Sequence, residues 1–195
     1  MKPGQKFRNA LKNNKPLIIP GTINAYSAKL AELANHNSIY LSGSGVAAAS
    51  YGLPDLGVTT LENVLIDAKR ITSATSLPLL VDIDTGWGDF DAISNTIIEM
   101  GNANVAAVHI EDQIFDKRCG HRPNKQLVSI DEMQDRLKAA LDAKIDDSFF
   151  IMARTDALAS EGIEKAIERC GKYLDVGADG IFFEAAVSIE EYKEF

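Results

Sequence analysis

The chain has 195 residues, of which 46% are hydrophobic and 25% are charged, and its formal net charge at pH 7 is −8. This length suits one domain with a sizeable core, and the composition is that of ordinary globular proteins. The acidic balance argues against nucleic acid or an anionic membrane as the main partner. It does not exclude a small anionic ligand, because a local cluster of cations or a metal ion decides the field at a binding site.

Two features bear on the location of the protein. No apolar stretch is long enough to span a bilayer, and the first six residues, MKPGQK, lack the apolar core of a signal peptide. We therefore expect a cytoplasmic protein whose two cysteines, Cys119 and Cys170, are free thiols. Cys170 lies on an apolar stripe at helical spacing, which predicts that it packs in the core.

Short β-branched segments alternate with amphipathic segments along the whole chain, and this pattern predicts a β/α fold. Strands are predicted near residues 17–20, 38–42, 79–84, 105–111, 149–155 and 180–184. Helices are predicted near residues 5–12, 25–35, 60–74, 90–100, 129–144 and 162–175, and from residue 188 onward. Three connections from strand to helix are predicted to be long, at residues 43–59, 85–89 and 112–128. Together these elements predict a single α/β domain over residues 1–195.

Unusual polar residues fall at the carboxyl ends of predicted strands, where β/α folds place catalytic groups. Because side chains alternate along a strand, Asp82 and Asp84 share one face of theirs. If the polar faces all point inward, one mouth collects Asp82, Asp84, Glu111, Arg154 and Glu184. So many carboxylates in a small space require a cation or protons, and oxygen ligands suit Mg²⁺ or Mn²⁺.

Other polar positions allow more than one interpretation. Asp55, in the segment GLPDLG, is a candidate outer member of the metal set, but acids of this kind also serve as helix caps or solvated strand ends. The segment SGSG at residues 42–45 favours a turn whose backbone N–H groups face a carboxylate or phosphate, although such turns are also common connectors. His109 is interpreted as a core histidine with no metal role.

The segment KRCGHR at residues 117–122 surrounds Cys119 with cationic and titratable side chains. Such neighbours favour a thiolate or make the thiol a readier proton donor. The alternative is a surface loop that contains an incidental cysteine. The acids at the neighbouring strand ends favour the chemical interpretation.

Five segments carry a resemblance to a known family. They are YLSG at residues 40–43, GLPD at 52–55, VDIDTG at 81–86, KRCGHRPNK at 117–125 and IMARTDA at 151–157. Through them, and over nearly its whole length, the chain resembles the methylisocitrate lyase branch of the isocitrate lyase and phosphoenolpyruvate mutase superfamily. Isocitrate lyases have two lysines before the Cys-Gly-His motif, and the mutases lack this motif, so Arg118 favours the methylisocitrate branch.

The resemblance implies a (β/α)8 TIM-type barrel enzyme that uses Mg²⁺ or Mn²⁺ to cleave a tricarboxylate, 2-methylisocitrate, to pyruvate and succinate. This reaction belongs to the methylcitrate cycle of propionate catabolism. Cys119 would be the general acid, and the base is left open between Tyr40 and a metal-bound hydroxide. The implied metal ligands are Asp82 and Asp84, with Asp55 and Glu111 assisting. The implied substrate-binding residues are Ser42, Gly43, Ser44, Asp82, Lys117, Gly120, His121, Arg154 and Glu184.

Two features depart from the family pattern. Ser44 stands where glycine is expected. A complete barrel has eight strands and about 250 residues, whereas about six β/α units are predicted here. We therefore expect a C-terminally truncated chain, with the homotetramer typical of relatives formed only by a full-length protein. The alternatives are an inactive remnant that binds metal or small carboxylates without turnover, and a superfamily enzyme that acts on isocitrate or oxaloacetate.

Overall fold

Five parallel strands form the sheet of this α/β protein, which a computed structural model describes over all of residues 1–195. Each strand pairs with the next one along the chain, in the order β1-β2-β3-β4-β5. This sequential parallel order, with helices in the connections, is the arrangement of consecutive units in a β/α barrel. The strands are β1 Ile39–Leu41, β2 Leu79–Asp82, β3 Ala107–Glu111, β4 Phe150–Thr155 and β5 Gly180–Phe183.

Nine helices accompany the strands, and side-chain caps mark several of their starts. Thr60 and Ser188 each accept a hydrogen bond from the backbone N–H three residues later, and the side chain there accepts the N–H of the cap in return. None of the helices has the length and apolar character needed to cross a membrane. The helices are α1 Pro3–Asn13, α2 Ala25–Leu33, α3 Gly43–Tyr51, α4 Leu61–Ala74, α5 Phe90–Asn102, α6 Ile130–Asp142, α7 Leu158–Glu161, α8 Ile163–Val176 and α9 Ile189–Glu194.

The prediction of a strand at residues 17–20 is wrong. This segment contacts the sheet through a single bridge between Gly21 and Tyr40. The carbonyl of Pro20 accepts the N–H of Tyr40 at 2.9 Å, but prolines at positions 16 and 20 cannot donate to a strand ladder. The segment therefore runs along the edge of β1 without forming a strand, and the sheet has five strands rather than six.

The connection predicted as a long loop over residues 43–59 contains a helix instead. Its first nine residues, GSGVAAASY, form α3. The two glycines at its start suggest a turn, but the three consecutive alanines that follow have the highest helix propensity. Ser42 stabilises the first turn as its N-cap. The polar residues that follow β1 are therefore placed at the N-terminus of a helix.

The two faces of the sheet have different coverings. The outer face packs against the helices in a core cluster of 28 buried residues. The inner face, which carries Asp82, has its buried apolar cluster at the amino ends of the strands, where α1 contributes Phe7 at 5.2 Å from the ring of Phe150. The full inner cluster is Phe7, Leu80, Ala106, Ala107 and Phe150. Helix α1 therefore closes one end of the inner face and leaves polar side chains at the other.

Two glycines provide a matched test of how α1 docks. A Cβ atom at Gly4 would overlap the backbone of Ser148 and Phe149, whereas one at the exposed Gly171 of α8 would meet no atom within 4 Å. We expect Gly4→Ala to lower the free energy of unfolding by about 1–3 kcal/mol. Gly171→Ala is expected to raise it by up to about 1 kcal/mol. Urea denaturation with unchanged m-values measures both, and equal effects of the two substitutions would contradict the docking of α1.

Candidate metal and catalytic site

Three carboxylates come together at the carboxyl ends of β2 and β3. Asp82 ends β2, Asp84 lies two residues beyond it, and Glu111 ends β3. Ligand oxygens from the three side chains lie within 4.8 Å of one another, and all three residues are buried. Because adjacent parallel strands end side by side, acids that are 27 or more residues apart in sequence meet at one edge of the sheet. We call these three residues the acidic group.

Several oxygens of the acidic group lack hydrogen-bond donors. Neither side-chain oxygen of Glu111 has one, and Oδ1 of Asp84 makes only an ion pair, at 2.7 Å from the Lys117 ammonium. Asp82 differs, since it accepts the backbone N–H groups of Gly43 and Asp84, both at 3.1 Å. Buried carboxylate oxygens without donors are costly unless a cation or a proton offsets their charge. This set of carboxylate oxygens suits a hard divalent ion such as Mg²⁺ or Mn²⁺ as its ligands.

Burial raises the pKa of two of the three acids. It raises the pKa of Glu111 well above its ordinary value, and together with the charge of Asp82 it raises the pKa of Asp84 to about 7. Burial acts in the same direction on Asp82, but electrostatic interactions with His109 and with two cationic side chains lower the pKa of that carboxyl. Without a cation the acidic group therefore retains protons, which a divalent ion would displace on binding.

Lys117 joins the acidic group to Asp55. Its ammonium forms ion pairs with Asp55 and with Asp84, and its side chain is only 4% exposed. Burial lowers the pKa of Lys117, but the charges of Asp84 and Glu111 raise it by more than burial lowers it. The ammonium therefore persists. Asp55 thus lies outside the acidic group and contacts it through Lys117. A direct role for Asp55 in metal binding stays a prediction.

Cys119 lies in the loop between β3 and α6, beside Asp55. Both residues line a cavity of about 540 Å³, whose other lining residues are Pro54, Leu56, Arg118, Arg122 and Pro123. Cys119 is partly exposed there, whereas Cys170 is buried in α8, as predicted, and burial raises the pKa of the Cys170 thiol to about 12. A larger cavity of about 710 Å³ lies near Trp87 and Phe115, but it contains none of the predicted site residues.

Gly120 packs closely against Arg154 and Glu184 at the ends of β4 and β5. A Cβ atom at Gly120 would overlap the ends of both side chains, which would have to move. Arg154 lies 3.4 Å from Glu111 and 3.7 Å from Glu184, and the largely exposed His121 lies 3.5 Å from Glu184. The structure therefore brings together four of the predicted substrate-binding residues, Gly120, His121, Arg154 and Glu184, next to the acidic group.

The predicted SGSG turn forms the start of α3. Ser42 caps the helix by accepting a backbone N–H at 3.4 Å. Gly43 allows the first turn to approach the acids, since its Cβ position lies 3.2 Å from carboxylate oxygens of Asp82 and Asp84. The partial positive charge of the helix N-terminus therefore faces the acidic group. Ser44, the departure from the expected glycine, is partly buried on the same turn.

Tyr40 of β1 and His109 of β3 contact each other over the intervening strand β2. The Tyr40 hydroxyl lies 2.9 Å from Nε2 of His109, and the imidazole lies between the rings of Tyr40 and Phe182. Burial lowers the pKa of His109 to about 4, so the ring is neutral at pH 7. Nδ1 of this ring lies 3.6 Å from Asp82. Burial, reinforced by the charge of Asp82, raises the pKa of Tyr40 well above its ordinary value.

Sequence reasoning assigned no role to four buried polar residues beside the site: Asp112, Gln113, Lys125 and Asp156. Asp156 accepts hydrogen bonds from Lys125 at 2.9 Å and from Arg154 at 3.0 Å. Asp112 accepts the backbone N–H of Asp156 at 2.9 Å. One signal was present, because Asp156 follows Arg154 by two positions and strand alternation places both on one face.

Comparison with known proteins identifies the family. Residues 7–195 match the model of the phosphoenolpyruvate phosphomutase family. The chain belongs to this family. It is 60% identical over 192 residues to the 2-methylisocitrate lyase of Shewanella oneidensis, an alignment that covers 98% of this chain and 66% of that protein. The chain therefore spans just under two thirds of the length of this relative.

Solved structures of family relatives have the same fold. A 2,3-dimethylmalate lyase superposes with a TM-score of 0.93 at 35% identity, covering 100% of this chain and 66% of the other. A phosphonopyruvate hydrolase in complex with oxalate and Mg²⁺ superposes with a TM-score of 0.86 at 32% identity, covering 100% and 67%. The resemblance to the isocitrate lyase and phosphoenolpyruvate mutase superfamily, and the barrel-type α/β fold that it implies, are confirmed.

Proposed function

We propose that this chain carries the site of a Mg²⁺-dependent carbon–carbon lyase that cleaves 2-methylisocitrate to pyruvate and succinate. The observation that carries the proposal is the buried acidic group. Three of its oxygens lack hydrogen-bond donors, and Lys117 and Asp55 connect it to the Cys119 cavity. The similarity to 2-methylisocitrate lyases supports this choice of substrate. A cytoplasmic location and a tetrameric assembly stay predictions.

Asp82, Asp84 and Glu111 would hold Mg²⁺ or Mn²⁺, with Asp55 assisting through its contact with Lys117. The bound ion would supply Lewis-acid stabilisation for negative charge that develops on substrate oxygens. The phosphonopyruvate hydrolase complex with oxalate and Mg²⁺ supports a divalent ion in this family. The N-terminus of α3 adds partial positive charge beside the acidic group, where we place the pyruvyl carboxylate.

Cys119 is proposed as the acid of the reaction. Cleavage of the C2–C3 bond leaves its electron pair on C3, in the succinate half. C2 becomes the ketone carbon of pyruvate as a general base takes the proton of its hydroxyl. The Cys119 thiol would donate its proton to C3. Arg154 and His121, which both lie near Glu184, would bind the succinyl carboxylates through charge-assisted hydrogen bonds.

Tyr40 is better suited to orienting the substrate than to removing its proton. Its raised pKa keeps the hydroxyl protonated at neutral pH, so a phenolate base would be costly to form. The contact with the neutral His109 ring fixes the direction of this hydroxyl. We therefore propose that Tyr40 binds a substrate oxygen.

The test is to incubate the chain with 2-methylisocitrate, isocitrate or oxaloacetate, each with Mg²⁺ or with EDTA. We expect pyruvate from 2-methylisocitrate in the presence of Mg²⁺ only. Glyoxylate from isocitrate, or oxalate from oxaloacetate, would move the proposal to another substrate of the superfamily. If no substrate is turned over but succinate binds in a Mg²⁺-dependent manner, the chain is a binding protein rather than an enzyme.

A further inference from the structure

The loop that carries Cys119, residues 113–127, is closed at its base. Gln113 and Leu127 form an antiparallel bridge there. Two further backbone hydrogen bonds, at 2.9 and 3.0 Å, join the residues next to this bridge. Beyond the base, the loop contains no helix or strand that would fix Cys119. Within the loop, the backbone N–H of Arg122 donates to the carbonyl of Cys119 at 2.8 Å, which shapes a local turn. The position of this turn relative to the sheet depends on side chains that reach into the loop.

The side chain of Gln113 reaches from the base to the residue before Cys119. Its Nε2 donates to the carbonyl of Arg118 at 2.9 Å, and its Oε1 accepts the N–H of Arg118 at 3.0 Å. Gln113 is only 1% exposed, and Arg136 donates to its backbone carbonyl at 2.9 Å. Because the amide binds both backbone groups of Arg118, it fixes the peptide units on each side of that residue.

Lys125 makes the corresponding contact with the residue after Cys119. Its ammonium donates to the carbonyl of Gly120 at 2.6 Å and to the carboxylate of Asp156 at 2.9 Å. The Lys125 side chain is 1% exposed and that of Asp156 is fully buried. Asp156 also accepts a hydrogen bond from Arg154 at 3.0 Å. The Cys119 loop is thereby joined to the end of β4, where we place substrate binding.

We infer that Gln113 and Lys125 are positioning residues that hold the Cys119 thiol in its place at the site. The inference rests on the proposed role of Cys119, although the contacts themselves do not. A proton donor that is displaced by about 1 Å loses much of its catalytic effect. Buried polar side chains with every contact satisfied are the groups best able to hold such a geometry.

The test uses Gln113→Met and Lys125→Met, which remove the two contacts with little change in side-chain volume. We expect iodoacetamide to alkylate Cys119 about tenfold faster in each variant, which corresponds to about 1.4 kcal/mol. Peptide mass spectrometry separates Cys119 from Cys170. Hydrogen exchange of residues 116–122 is expected to accelerate as well, while peptides from β2 and β3 keep their protection.

Two substitutions of the same type serve as controls. They are Gln126→Met and Lys138→Met. Gln126 lies in the same loop, Lys138 lies on α6, and both side chains are exposed. Neither control is expected to change the alkylation rate. If Lys125→Met fails to fold, because it leaves Asp156 with one cation fewer, Lys125→Gln tests the same contact.

The outcomes separate this inference from the proposed function. Unchanged alkylation and exchange in both variants would overturn it, whether or not the chain turns over substrate. In an active chain we expect kcat to fall more than KM, with the response to Mg²⁺ retained. Faster alkylation with unchanged kcat would also overturn the inference, because the position of Cys119 would then not matter. An unaltered chain without turnover counts against the proposed lyase alone, and the alkylation result still decides whether the two side chains hold Cys119.

Discussion

Replacing Cys119 with serine is expected to reduce pyruvate release from 2-methylisocitrate by a factor of about 10²–10⁴, the usual contribution of a general acid. The hydroxyl of serine is nearly isosteric with the thiol but is a much weaker acid, so C3 would be protonated slowly. The acidic group lies outside the substituted loop, and Mg²⁺ binding should not change. The measurement is a coupled pyruvate assay, with calorimetric titration of Mg²⁺ into the same variant.

Cys170 provides the control for this substitution. It is buried in α8 and belongs neither to the acidic group nor to the Cys119 cavity. Cys170→Ala should leave the rate of pyruvate release unchanged, although it removes a buried side-chain atom and should lower the unfolding temperature slightly. If Cys119→Ser retained the full rate, Cys119 would have no part in the mechanism. The segment would then be a surface loop that contains a cysteine without a catalytic role.

Mg²⁺ is expected to stabilise the chain through the acidic group. At a concentration of 100 times Kd, binding to the folded state alone raises the free energy of unfolding by about 2.7 kcal/mol. Glu111→Gln should remove most of this gain, since binding weakened about hundredfold would leave about 0.4 kcal/mol. Thermal unfolding of both proteins, in EDTA and over a series of Mg²⁺ concentrations, measures the difference.

The result in EDTA distinguishes a metal ligand from a structural residue. Both side-chain oxygens of Glu111 lack hydrogen-bond donors, and Arg154, its ion-pair partner, keeps Asp156 and Glu184 as partners. Neutralising this buried acid should therefore change the stability of the metal-free chain little. A residue that mattered only for packing would lower stability under both conditions. The exposed Glu164 of α8 is the matched control, and Glu164→Gln should keep the whole Mg²⁺ effect. A Glu111→Gln variant that responds to Mg²⁺ like the original chain would contradict the proposed ligand set.

Much of the fold could be predicted from local sequence patterns. All five strands of the sheet fall within predicted segments, because buried parallel strands are short apolar runs bounded by polar residues. The failures also have local causes. The segment at residues 17–20 is apolar, but Pro16 and Pro20 lack the backbone N–H that a strand ladder needs. At the start of α3, the turn-forming GSG outweighed the helix propensity of the alanines that follow it.

The acidic group could be anticipated for a similar reason. Asp82 and Asp84 are two residues apart at the end of one strand, and Glu111 ends the next, so alternation and parallel order place them at one edge. The position of Lys117 was not predictable. Its ammonium lies between Asp55 and Asp84, which belong to different connections, and nothing near Lys117 in the sequence indicates this contact.

The sequence by itself therefore determined the class of fold, the strands that bear the acids and the family to which the chain belongs. Only the tertiary structure decided which polar groups touch. Tyr40 contacts His109, which lies 69 residues further along the chain. Lys125 binds Asp156, which lies 31 residues further along, just beyond β4. Such contacts depend on strand register and on the path of a loop. Both arise from packing between distant segments, which local hydrophobic patterns do not record.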